Sequence, residues 1–187
     1  MDAPSAGGWL FARRGWLPVP LVALALWLPP RGWAVGLPLM ALGEMIRLWA
    51  VGHIGLPSRT REAGVGRLVT TGPYAWSRNP LYVGNILLWS GLGVVCWPTV
   101  LGFTPLMVIY YTLIISWEER QLLDSVGEPY RAWCRSVPRW IGWPEAREGT
   151  GPRWDAQRAV RTERGTFVVL AVVFGLLALR TVILPSL

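Results

Sequence analysis

The sequence predicts an all-α integral membrane protein, a single domain over residues 1–187 with about five transmembrane helices. Three observations predict it. The chain is 52% hydrophobic and 16% charged, with a mean hydropathy of +0.37, whereas a soluble domain carries closer to ~25% charged residues. Its apolar residues come in blocks that approach the ~20 residues a spanning helix needs. Its 18 basic residues, all arginine, collect in alternate connecting segments.

The first block, Trp16 to Leu28, is short and interrupted by Pro18 and Pro20, and needs Phe11 or Pro30 to reach spanning length. No small-residue cleavage site follows it, so it reads as an anchor and not as a cleaved signal. Trp33 to Val51 has a good length but carries Glu44 and Arg47. Leu81 to Trp97 and Thr99 to Trp117 are the cleanest spans. Thr166 to Leu184 is the last, with Arg180 near its outer end. The tight turns Pro29-Pro30-Arg31-Gly32 and Trp97-Pro98-Thr99 make two helical hairpins. The fourth helix continues its pattern from Glu118 to Val126 and so projects beyond the membrane, with Gly127 as its cap. Pro129 to Ser136 is a short amphipathic piece that brings Tyr130, Trp133 and Cys134 together. Arg147 to Arg164 is charged throughout and reads as a surface helix or a linker.

Arginine orients the bundle. Arg13 and Arg14 precede the first helix, and Arg59, Arg61, Arg67 and Arg78 lie between the second and third. A long series from Arg120 to Arg164 lies between the fourth and fifth, while the other face holds Arg31 and Arg180. Positive charge marks the cytoplasmic side. The N-terminus is therefore expected in the cytoplasm, the C-terminus outside, and both long polar segments at the cytoplasmic face. The short, lysine-free chain points to a bacterial or archaeal membrane. This placement also turns the net charge of +7 toward topology and anionic lipid, and away from nucleic acid. Cys96 and Cys134 fall on opposite sides, so no disulfide is expected, and one histidine with two separated cysteines makes no zinc constellation.

Two polar segments carry the chemistry. The first is Gly72-Pro73-Tyr74-Ala75-Trp76-Ser77-Arg78-Asn79-Pro80-Leu81-Tyr82-Val83-Gly84, which ends where an apolar run begins. The second is Glu118-Glu119, where the next apolar run ends. A membrane hairpin between them brings both to one face. Gly-Pro signals a turn, and Asn79-Pro80 reads as a cap followed by a proline in the first helical turn. Glu44 and Arg47, three residues apart on a spanning helix, form a self-neutralising pair or touch a ligand. Gly64-Val65-Gly66 is a lone Gly-x-Gly and carries little.

The stretch Leu68 to Gly84, followed by Glu118-Glu119, Leu122, Gly127, Tyr130 and Val137-Pro138-Arg139, resembles the superfamily of isoprenylcysteine carboxyl methyltransferases and phospholipid methyltransferases. The likeness covers roughly His53 to Trp143, the motif-bearing part, with residues 144–187 as a C-terminal linker and last helix. It implies a cofactor, S-adenosylmethionine, held at the cytoplasmic surface, and methyl transfer to a lipophilic acceptor that reaches the site through the membrane. The residues it assigns to the cofactor are Gly72, Pro73, Tyr74, Arg78, Asn79, Pro80, Tyr82, Gly84, Glu118 and Glu119. Glu119, Asn79 and Tyr82 are expected nearest the reaction, with Glu119 the direct ligand and Glu118 bracing it. Glu44, Arg47, Tyr130 and Arg139 are expected to face the acceptor, and no metal is expected.

That chemistry suits these residue types. A carboxylate can bond ribose hydroxyls or an ammonium, aromatic faces attract a sulfonium, and arginine grips a carboxylate in bidentate fashion. Methyl transfer needs in-line positioning more than acid–base help. One departure bears on the acceptor: the isoprenylcysteine enzymes carry histidine where this chain has Asn79, which cannot carry a proton. Asn-Pro-Leu-Tyr is closer to the phospholipid branch and so favours a lipid amine. Carboxyl O-methylation of the isoprenylcysteine type is the alternative, and a membrane module that keeps the fold without catalysis is the rival from another class.

Overall fold

A computed structural model describes residues 6–16, 19–54, 68–143 and 149–183. The described residues form helices and their connections, without strands. The helices are α1 (Ala6–Ala12), α2 (Val19–Trp27), α3 (Trp33–Ile54), α4 (Pro80–Val95), α5 (Val100–Val126), α6 (Glu128–Ser136) and α7 (Ala156–Ile183), with a 3-10 turn at Gly72–Ala75.

Three helices, α3, α5 and α7, are long and apolar enough to cross a membrane, and α4 is a shorter apolar helix of 16 residues. The first expected span, Trp16 to Leu28, contains only the nine residues of α2, about 13 Å at 1.5 Å per residue. Proline explains its size. Pro20 is tolerated in the first turn, and Pro29-Pro30 disfavours helix in the residue before it. The charged stretch beginning at Arg147 resolves into α7, which starts at Ala156 and runs through the apolar block. Arg59, Arg61, Arg67, Arg147 and the Gly64-Val65-Gly66 sequence lie outside the described residues.

Glycine sets the central contact, between α3 and α4. A Cβ added at Gly43 would lie 2.7 Å from the Gly84 carbonyl oxygen, and one at Gly84 would lie 2.6 Å from that of Gly43. Gly36 and Gly91 repeat the relation, at 2.7 Å in both directions. The two pairs stand seven residues apart on each helix, so the backbones touch along a seam. Membrane helices pack through such small residues, because lipid gives them no hydrophobic drive to associate. The end of the seam is tied off where Arg31 N–H and Gly32 N–H both donate to the Val95 carbonyl.

Around the seam, Ala25, Met40, Leu88, Leu92, Val95, Phe103, Val173 and Leu177 form one buried cluster from five helices. A second cluster, rich in aromatics, joins α1 to α5 through Phe11, Tyr110 and Tyr111, with Tyr82 and Trp117 packed against it. A third holds the polar end together: Ala50, Val69, Tyr74, Tyr130, Trp133 and Val137. Gly127, at φ 72°, makes the turn from α5 into α6, a backbone conformation natural to glycine. The amphipathic α6 then buries Tyr130 and Trp133 and leaves Arg131 and Arg135 outside.

Candidate functional site

The two motifs meet, and backbone bonds join them first. Arg78 N–H donates to the Pro138 carbonyl at 3.0 Å, and Gly142 N–H to that of Trp76 at 3.0 Å. Ser77 Oγ donates to the Arg139 carbonyl at 3.4 Å and accepts from Asn79 N–H at 3.0 Å. Pro80 then opens α4, as proline does at a first helical position. The segment after α6 therefore lies directly against the run Trp76–Asn79.

Their side chains converge on Glu119. Arg139 Nη2 lies 2.6 Å and its Nε 3.1 Å from Oε2, and Arg78 Nη2 lies 3.1 Å from Oε1. Asn79 Nδ2 donates to Oε1 at 3.4 Å and to the Arg139 carbonyl at 3.2 Å. Arg78 also donates to the Cys134 carbonyl at 3.3 Å. Beside this cluster, α5 and α6 border an open cleft of about 490 Å³, lined by Ser116, Glu119, Arg120, Tyr130, Cys134 and Arg139 among others. That volume falls in the range of small-molecule sites.

Glu118 faces elsewhere, because neighbouring helical residues diverge by about 100°. Its Oε2 accepts from Tyr82 Oη at 2.9 Å. The Tyr82 ring sits 5.1 Å from that of Tyr111, which meets Tyr110 at 5.0 Å. The carboxylate pair thus splits: Glu119 borders the α5–α6 cleft, and Glu118 borders the aromatic cluster on α4 and α1.

Gly72, at φ 62°, packs against the His53 ring, which leaves no room for a Cβ there. Pro73 and Tyr74 are buried behind it. Four buried polar atoms near the two motifs have no hydrogen-bond partner among the described residues: Tyr74 Oη, Arg78 Nε, Trp133 Nε1 and Thr71 Oγ1. Such atoms are rare without a ligand or water to satisfy them. Burial, and then the charge of Glu118, raises the pKa of Tyr74. Burial, and then the charge of Glu119, does the same for Tyr130. Both phenols are therefore proton donors throughout the ordinary pH range.

The remaining expected residues lie apart from the cleft. Gly84 belongs to the α3–α4 seam, where its Cβ would also meet Arg47 Cγ at 2.6 Å. Arg47 is the hub of a buried network: Nε bonds Glu44 Oε2 at 3.0 Å, Nη1 bonds Asn85 Oδ1, and Nη2 bonds Glu163 Oε2 and Thr166 Oγ1. The Glu163 side chain is wholly buried. Sequence reasoning left out Glu163, Asn85 and Thr166. The signal available was the pair Glu163 and Thr166, three apart on what proves to be one face of α7, but their partner is more than a hundred residues away.

A strap before α7 was also left out. Thr70 N–H donates to the Thr150 carbonyl and Thr150 N–H to Thr70 Oγ1, both at 2.8 Å. His53 Nδ1 lies 3.3 Å from the Pro152 carbonyl, and Trp154 Nε1 donates to that of Leu48 at 3.3 Å. Asp155 N–H and Arg158 Nη1 both bond the Gly52 carbonyl. The strap clamps the end of α3 to the residues that lead into Gly72. Among the described residues no group of histidine, cysteine and carboxylate could hold a metal ion.

No curated protein and no solved structure matches the chain. A family profile does: that of the phospholipid methyltransferases, over residues 32–126, just over half of the chain.

Proposed function

The chain belongs to the phospholipid methyltransferase family, and from that membership we propose that it transfers a methyl group from S-adenosylmethionine to an amine-bearing lipophilic acceptor in the membrane. Methyltransferase and membrane protein follow from the family and the apolar helices. One observation carries it. Arg78 and Asn79 of the first motif and Arg139 of the second meet on one carboxylate, Glu119, at the wall of the 490 Å³ cleft.

The residues present fit the cofactor. It carries a sulfonium, an ammonium, a carboxylate, ribose hydroxyls and an adenine. Arg120 at the cleft can take the carboxylate in bidentate fashion, beside the Arg139 charge. Glu119 can take hydroxyls or the ammonium in exchange for its long bond to Asn79, at 3.4 Å. Tyr130 offers a ring face. When bound, the cofactor supplies an electrophilic methyl group on positive sulfur, and the group that leaves is neutral. The work left to the chain is to hold donor and acceptor in line and to keep water out.

Asn79 supports the amine reading. It is spent as a donor to Glu119 and to the Arg139 backbone, and it stands where the carboxyl-methylating relatives carry histidine. The arginine distribution supports a multi-pass protein with its N-terminus and both motifs at the cytoplasmic face, and the short, lysine-free chain supports a prokaryotic membrane. The Glu44–Arg47 network supports a bracing role beside the acceptor and not direct contact, because Arg47 spends its donors on four side chains.

Titration calorimetry on detergent-purified protein tests the cofactor. Saturable binding of S-adenosylmethionine or its demethylated product is expected, and no heat with either at millimolar concentration overturns the reading. Mass spectrometry of lipid extracts then tests the acceptor: a lipid amine should gain one methylene in mass when the protein is expressed.

A further inference from the structure

We propose that Trp76, Ile141 and Trp143 form a lipid-docking surface, by which the joint between the two motifs rests in the headgroup layer of the bilayer, at the edge of the hydrocarbon. The inference goes beyond the methyltransferase reading and does not depend on it.

The joint presents an apolar face. Trp76 closes the 3-10 turn, and Ile141 and Trp143 belong to the segment after α6. Gly142 N–H donates to the Trp76 carbonyl at 3.0 Å, which sets the two segments side by side. The Trp76 and Trp143 rings stand 6.0 Å apart, a spacing at which rings attract. The pairing leaves them outside: Trp76 is 40% exposed, Ile141 72% and Trp143 85%. So much apolar surface in one place marks a contact with another phase or partner.

The length of α4 says what covers it. Its 16 residues make about 24 Å, whereas the hydrocarbon core of a bilayer is about 30 Å thick. Apolar residues just beyond the helix ends must fill the difference. At one end stands the exposed Trp97, two residues past Val95. At the other stands Trp76, four residues before Pro80. Tryptophan favours this boundary, where its ring meets the apolar layer and its N–H the headgroups.

Two neighbouring elements mark the same level. Trp140 packs into the aromatic cluster that Tyr82, in the first turn of α4, and Trp117, the residue before Glu118, also join. The short helix α1 lies against that turn of α5, with Gly7 so close that a Cβ there would come 2.5 Å from Trp117 Cβ. It exposes Trp9, and the Arg13 guanidinium sits 4.5 Å over the Trp9 ring. Arg13 here and Arg135 in the last turn of α6 are both exposed and carry the charge that lipid phosphates attract. The partner is therefore the bilayer surface, and the Glu119 cluster, which shares this joint, lies level with the headgroups.

Nitroxide labelling of full-length protein in lipid nanodiscs tests the placement. Ile141→Cys and, as a reference, Arg131→Cys on the outer side of α6 are each made in a Cys134→Ser background. Dissolved oxygen concentrates in hydrocarbon, and a nickel chelate stays in water. The label at 141 should collide more with oxygen than with the chelate, and the label at 131 should show the reverse. Replacing Trp76 and Trp143 together with serine should shift the 141 label toward the chelate, while replacing both with phenylalanine should leave it in place. A label at 141 as open to the chelate as that at 131 would make the face a solvent surface and overturn the inference. Shielding of 141 from both reagents would mean that a second protein chain covers it, and overturns the inference equally.

Discussion

Glu119 gathers two arginines and an asparagine that start 41 and 40 positions before it and 20 after it in the chain. Glu119→Gln removes the charge and leaves Arg78 and Arg139 facing each other across an uncharged amide. A hydrogen bond to a charged group contributes about 1.5–3 kcal/mol, so the folding stability and the cofactor affinity should each fall by that order, and the melting temperature with the first. Thermal melts with and without the demethylated cofactor read the two effects separately, since a ligand that binds only the native state raises the melting temperature. An unchanged melt and unchanged binding would remove Glu119 from the site. The pairing Glu118-Glu119 was legible in the sequence as chemistry. Which helix each carboxylate faces was not, since that depends on where α4 and α6 pack, and no local pattern holds it.

The α3–α4 seam makes a prediction at the scale of helices. Gly84→Ala places a methyl group 2.6 Å from both the Gly43 carbonyl oxygen and Arg47 Cγ, so the backbones must part. Overpacking of this kind costs about 1–3 kcal/mol. Gly102→Ala in α5 meets nothing within 4 Å and should stabilise by about 0.5–1 kcal/mol, the helix penalty of glycine. Chemical unfolding of both variants checks the sign difference, and a Gly84→Ala protein as stable as wild type contradicts the seam. Arg47→Met should cost more, about 3–5 kcal/mol, because it takes a cationic partner from the buried carboxylates of Glu44 and Glu163. The seven-residue spacing of Gly36 and Gly43, and of Gly84 and Gly91, stands in the sequence. The pairing of those two sets does not, so Gly84 reads there as part of a ligand motif.

At the scale of the molecule, the native cysteines report the orientation. Cys134 is partly exposed near the cleft, and Cys96 is buried at the far end of α4. A membrane-impermeant maleimide should label Cys134 in inside-out vesicles and spare it in intact cells. The reverse pattern would invert the proposed topology. Composition, the proline positions and the order of the two motifs made the helical membrane class and the meeting of the motifs legible, because these rest on block length and on a hairpin that returns the chain to one side. The strap and Glu163 were illegible, because their partners Thr70 and Arg47 lie 80 and 116 positions away. Those two attachments carry a consequence for how the protein is made. Chains emerge N-terminus first, so both motifs leave the ribosome before Thr150 or Glu163 does. Until α7 arrives, Arg47 lacks one of its carboxylates and the turn at Gly72 lacks its clamp. A released chain truncated after residue 143 should therefore sit in the membrane with both motifs present and yet be open to protease at the Gly72 turn, where the full-length protein is resistant.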